Sequence, residues 1–293
     1  MRRRVIPMMV AVLAFTFSVQ AQKSAEIGVV IGASSYFGDL TPHGVQNNTS
    51  QYLPAFSFFY RQNMNQTYGF RVNLGYGNIS GDDALSDQAY RNERNFSFKS
   101  SILELGLIGE VNLLGFSPGG NGSAFSPYLF GGIALFHFNP HTEYQGQTVN
   151  LQPLGTEGQG IEGFPDPYKL TQISIPFGGG IKLAINDQIN IGLELGFRKT
   201  FTDYLDDVSG KYVSYPVLRA SNGELAAALG NRTGEFLGTE PVELAEGALR
   251  GNPKKDDWYL MGGFTLSYTI FSDRGAFHKS GRRGNKRFGC PTF

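Results

Sequence analysis

Few residues in this chain could do chemistry. Its histidines are His43, His137, His141 and His278, and Cys290 is its single cysteine. The run HFNPH places His137 and His141 four apart, a spacing that grips a metal from one face of a helix. Pro140 lies between them at an expected strand exit, which denies the helical geometry, so no metal site is expected there. A second run, DYLDDVSG, offers Asp203, Asp206, Asp207 and Ser209 as oxygen donors of the kind calcium takes. It lacks the glycine and closing glutamate of an EF-hand at their positions. It reads as a turn at the start of a loop, held by Asp side chains that accept from nearby backbone amides. A hydrolase would need a Ser or Asp beside a His, and nothing local brings such a pair together. The chain therefore reads as a non-enzyme with no catalytic residue, cofactor or metal.

What the sequence does specify is a set of strands. In QINIGLELGFRK, Ile189, Ile191, Leu193, Leu195 and Phe197 alternate with Asn190, Gly192, Glu194, Gly196 and Arg198. A period of two makes one face of a strand apolar and the other polar. Seven further segments behave as strand candidates: AEIGVVIGASSYF, YLPAFSFFYRQ, TYGFRVNLGYG, SFKSSILELGLIGEVNLL, SPYLFGGIALFHF, LTQISIPFGGGIKLAI and DWYLMGGFTLSYTIF. SPYLFGGIALFHF is apolar on both faces, and its facing stays open at this level. No long helix is expected. GELAAALG could form two turns through the spacing of Leu225, Ala226 and Leu229, as packing within a surface loop.

The gaps between these segments are residues 38–51, 64–66, 80–96, 114–124, 139–168, 185–187 and 201–256, so long and short connections alternate. Outer-membrane barrels show this asymmetry, with an even strand number, long extracellular loops and short periplasmic turns. The expected fold is an all-β, eight-stranded antiparallel transmembrane barrel of the outer membrane over residues 22–272. The 39 Gly and 24 Phe suit strands that bend, fill a narrow interior and carry aromatic rims.

The N-terminus agrees with export. Arg2, Arg3 and Arg4 precede VIPMMVAVLAFTF, and Val19 and Ala21 occupy the small-residue positions of a cleavage site, which gives a signal peptide over residues 1–21. No other segment has the roughly 20 apolar residues of a spanning helix. Of 25 basic and 25 acidic residues, three arginines leave with the signal, so the mature charge is 22 − 25 = −3. Nothing in that balance points to nucleic acid.

Inside such a barrel, Glu26, Glu104, Glu110 and Glu194 would face Arg61, Arg71, Lys182 and Arg198. Acids and bases in equal number predict a self-neutralised plug rather than a channel, in a barrel only wide enough for its own side chains. With both termini in the periplasm, the basic tail of residues 273–293 becomes a docking segment, and Arg282, Arg283, Lys286 and Arg287 are its candidate partner-binding residues.

Four stretches then carry a family resemblance: EIGVVIGASSYFGDL, FTDYLDDVSGKY, DWYLMGGFTLSYTIF and the CPTF ending. They resemble the PorG-like outer-membrane β-barrel proteins of Bacteroidota. The resemblance implies a barrel that ties a periplasmic ring subunit and its lipoprotein, parts of the type IX (Por) secretion system, to the outer membrane. The competing expectation is an autonomous surface barrel of the OmpA or OmpX type, acting in adhesion or envelope integrity through its extracellular loops.

Overall fold

The computed structural model describes residues 24–41, 51–117, 123–245 and 247–272. The expected signal peptide, and the tail with Arg282, Arg283, Lys286 and Arg287, lie outside the described residues.

Eight long antiparallel strands form a closed ring: β1 (Ser24–Phe37), β2 (Leu53–Asn63), β3 (Tyr68–Asp82), β4 (Ser97–Asn112), β5 (Phe125–Tyr144), β7 (Thr171–Ala184), β8 (Ile189–Thr200) and β9 (Trp258–Ser272). Each pairs with its neighbours along the chain, and β1 pairs with β9 to close the ring. The short β6 (Gln147–Asn150) pairs only with the end of β5, as a hairpin. Closure satisfies the backbone groups that an open sheet would leave at its edges. The short connections all lie at one end, and the long ones, which carry four short helices, lie at the other.

Alternation assigns the faces. On β8, Ile189, Ile191, Leu193 and Leu195 are exposed, while Asn190, Glu194 and Arg198 are buried in the lumen. The same rule resolves β5, where Leu129, Ile133 and Leu135 point out and Tyr128, Phe130, Phe136 and Phe138 point in. Leu260, expected outside, is only 9% exposed. It pairs with Phe197 beside the aromatic group of Phe37, Phe177, Phe197 and Trp258, which crowds that part of the outer face.

Two other expectations change. The fifth strand does not exit before Pro140 but runs on to Tyr144 and returns as β6. Pro140 is tolerated because β7 stops pairing with β5 at His137 and β6 begins at His141, so its missing N–H falls between two ladders. GELAAALG does form a helix over Glu224–Gly230, but Ala226, Ala227 and Leu229 are its buried residues and Leu225 is 37% exposed.

The ring has two interior storeys. Toward the short turns the lumen is charged. Toward the long loops it is filled by Tyr36, Ile79, Phe98, Ile102, Phe136, Phe138 and Tyr259, a cluster that continues upward into Leu205, Val208 and Leu229 of the loops. Ring contacts carry it across the rim: Phe138 stacks on Tyr168 at 6.2 Å and Tyr168 on Tyr204 at 4.7 Å.

Glycine makes the closing seam possible. A Cβ on Gly32 would lie 2.0 Å from the Gly262 carbonyl oxygen and 2.4 Å from the Gly263 Cα. Substituting Gly32→Val should block closure, costing at least about 3 kcal/mol as backbone overpacking. The check is the fraction of protein running as a compact, heat-modifiable band in unboiled gels, which should fall sharply while Ile31→Val leaves it unchanged.

Candidate functional site: a sealed lumen under a folded cap

The structure buries all eight lumen residues expected from the sequence in ion pairs, six in one network and Arg198 with Glu104 as a separate pair. Glu110 is the hub of the network: Arg61 Nε lies 2.9 Å and Arg71 Nε 3.3 Å from its carboxylate, and Lys182 Nζ donates to it at 2.5 Å. From there Arg61 reaches Glu26 at 2.9 Å and Arg71 reaches Glu194 at 2.6 Å. Arg198 grips Glu104 with two nitrogens, at 3.1 and 3.3 Å. Every one of these side chains is at most 5% exposed. Isolated, such charges would be prohibitively costly in so buried a space, so each must keep a partner.

Sequence reasoning missed the neutral groups that complete the set. Tyr128 donates to Glu194 at 2.6 Å, Tyr259 to Glu104 at 2.7 Å and Ser267 to Glu26 at 2.8 Å. Phe59 lies under both Arg61 and Arg71, with guanidinium carbons 4.6 and 5.3 Å from its ring centre. The signal was present in strand parity: Tyr128 and Tyr259 share the inward phase of Phe130 and Met261. Their partners on distant strands were not readable from it.

The long loops build a second buried network. Asp83 receives Arg91 at 3.3 Å and Arg94 at 2.7 Å, and Arg94 donates on to the Arg250 carbonyl at 2.7 Å. Arg250 pairs with Glu157 at 3.0 Å, and Glu157 also accepts from the amides of Ser209 and Gly210 at 2.8 and 2.9 Å. These links join the segment around the helix α1 (Ala89–Arg94), the β6–β7 connection and the long β8–β9 connection into one cap over the ring.

DYLDDVSG lies in this cap. Asp206 accepts from the Val208 amide at 2.9 Å, the expected local turn. The rest of the run reaches further: Asp207 accepts from Tyr168 at 2.7 Å, and the Tyr36 hydroxyl lies 2.6 Å from Asp206 and 3.1 Å from Asp257. One phenolic proton cannot serve both carboxylates. Burial pushes Asp206 and Asp257 well above the ordinary carboxyl range. Burial also lifts Asp207 to about 6, against the pull of Arg250, and Asp203 to about 7.

His137 and His141 are not brought together. Both stand on the outer face of β5, four residues and so about 13 Å apart, and His137 Nδ1 lies 2.9 Å from the Thr171 hydroxyl. Among the described residues no cluster of His, Cys, Asp or Glu could hold a metal ion.

A family model described as Domain of unknown function (DUF6089) matches residues 3–229. No curated protein matches the chain. Among solved structures, similar chains include Ail, the attachment invasion locus protein of Yersinia pestis, crystallised with the heparin analogue sucrose octasulfate. It shares 8% identity over 85% of this chain and 99% of its own, with a TM-score of 0.40. Neisserial surface protein A shares 7% identity over 85% and 99%, at 0.40. The outer membrane protein OprG of Pseudomonas aeruginosa shares 12% over 85% and 98%, at 0.37.

Two outcomes follow from the networks. Glu110→Ala leaves Lys182 with no carboxylate partner and takes one of two from Arg61 and from Arg71, and it should cost about 3–5 kcal/mol, read as a shift in the urea midpoint of the folded protein in lipid vesicles. In the cap, the raised carboxyl values mean that the folded cap binds more protons than its unfolded state above pH 3.8. Its stability therefore falls as pH rises from about 4 to about 7. Hydrogen exchange over residues 201–257 should speed up across that interval beyond its intrinsic pH dependence, and Asp203→Asn should flatten the excess.

Proposed function

The chain belongs to the DUF6089 family, and from that premise we propose that it is a non-conducting outer-membrane barrel that serves as a membrane anchor. It acts by binding rather than catalysis. The observation that carries this reading is the pairing of an apolar exterior with a filled interior. On β4 and just beyond it, Leu103, Leu105, Leu107, Val111 and Leu113 are each at least 38% exposed. With about 3.4 Å per residue and a tilt near 40°, that row spans roughly 25 Å, the height of a membrane barrel's apolar band. Above it the outward residues turn polar, with Ser101 and Lys99 on β4 and His137 and Asn139 on β5. Soluble monomers rarely expose a contiguous apolar surface of this extent.

A filled lumen leaves two surfaces for function. The finer reading places the short-turn end in the periplasm, where the turns and the basic tail hold a periplasmic ring subunit and its lipoprotein, as parts of the type IX secretion system. Its support is the sequence resemblance to PorG-like barrels. The second reading is a surface barrel acting through its loops, and the cap favours it: buried ion pairs such as Arg250–Glu157 represent more order than idle loops require.

Both readings forbid a pore, so the protein in planar bilayers should give no discrete conductance steps. To separate them, the four basic tail residues Arg282, Arg283, Lys286 and Arg287 are changed to Gln and periplasmic crosslinks are recovered from native membranes. The anchor reading predicts salt-sensitive loss of ring subunit and lipoprotein at unchanged barrel heat stability. Undiminished recovery excludes tail docking, and a phenotype that follows the cap loops instead assigns function to the cell surface.

A further inference from the structure

At the loop end of the β8–β9 seam the apolar exterior is interrupted by a cation. Lys199 lies on the outer face of β8, paired in register with Trp258. Its Nζ lies 5.1 Å from the Trp258 ring centre and 5.8 Å from that of Phe201, which is 54% exposed. Its carboxylate partner is Asp256 at 3.3 Å, with both side chains close to 40% exposed, an ion pair that water screens and that contributes little. Lys254 and Lys255 follow on the same connection, exposed, and neither has a carboxylate partner among the described residues. A cleft of about 1090 Å³ opens at this point, lined by all three lysines together with Phe37 and Trp258.

Position decides what such a group can hold. Phe37, Trp258 and Lys199 are paired in register at the loop end of β1, β9 and β8, the upper edge of the apolar band, and Lys254 and Lys255 lie on the connection that enters β9. A lysine at that height keeps its stem on apolar surface and its ammonium among headgroups. The cleft also carries Asp39, Glu93 and Asp256. Asp39 is occupied by the Asn252 amide at 2.7 Å, and Asp256 by Lys199. With Arg91, Arg94 and Arg250 the lining has six cations against these three carboxylates, and of the three lysines it is Lys199 that lies against aromatic rings.

We propose that Lys199, Lys254 and Lys255, with Trp258 and Phe37 beside them, form a binding site for the phosphate headgroup of an outer-leaflet lipid. The phosphate displaces Asp256 from Lys199 and bridges to Lys254 and Lys255. The acyl chains run down the outer face past Phe37 and Trp258. The site rests on the reading that the exterior lies in lipid, and it adds a chemical selectivity that an apolar band alone does not have.

The test uses the full chain in nanodiscs doped with phosphorylated lipid A or with its enzymatically dephosphorylated form, with retained lipid counted by native mass spectrometry. Wild-type protein should retain the phosphorylated form with about tenfold preference or more, and the triple variant K199Q/K254Q/K255Q should lose that preference while remaining heat-modifiable. Inorganic phosphate should not displace the lipid. Equal retention of the two lipids, or an unchanged preference in the triple variant, overturns the site while leaving the membrane reading intact. Full displacement by inorganic phosphate overturns the lipid assignment. Failure of the wild-type chain to enter nanodiscs at all overturns the membrane reading itself.

Discussion

Glu110 is the constraint on which the interior depends. It lies on β4 and faces Arg61 of β2, Arg71 of β3 and Lys182 of β7, so three consecutive strands are tied through one carboxylate to a fourth, 72 residues further along the chain. The backbone ladders close the ring but do not fill it. Filling requires side chains from opposite walls to meet, and in a closed lumen a buried charge that meets nothing is untenable. The ion pairs are thus less a source of net stability than a specification: only the register that aligns all eight residues leaves none unpaired.

Above that layer the same logic changes chemistry. Tyr36 and Tyr259 stand where the charged storey gives way to the aromatic one. Tyr259 turns its hydroxyl to Glu104 and its ring to Phe136, with centroids 5.5 Å apart. Tyr36 turns its hydroxyl to the cap aspartates and its ring to Phe98, at 4.9 Å. Barrel and cap are consequently one packed body, joined by an apolar cluster that ignores the rim. A cap so attached cannot swing aside cheaply to open a path through the lumen.

Alternation made most of the barrel legible, because period two is a property of each strand alone. Inward charges such as Glu194 and Arg198 could be assigned from local sequence, and so could their sum. Which acid meets which base could not, since Arg71 and Glu194 are 123 residues apart and are joined only by closure. Pro140 misled for a related reason: a proline ends a strand in isolation, but here it falls where one partner strand hands over to another. The cap was least legible. Arg91, Arg94, Arg232 and Arg250 look like ordinary loop arginines until the fold buries them against Asp83, Glu235, Glu157 and Asp207.

The central claim is that the outer face meets lipid, and accessibility along one strand tests it most directly. With Cys290 replaced by Ser, single Cys substitutions at Lys99, Ser101, Leu103, Leu105, Leu107 and Val111 would be spin-labelled in vesicles, and collisions with oxygen compared with those of a water-soluble nickel chelate. The account predicts oxygen-rich, nickel-poor labels from Leu103 to Val111 and a reversal at Ser101 and Lys99, where the outward residues become polar. Nickel access at Leu105 and Leu107 equal to that at Lys99 would place this face in water and contradict the account.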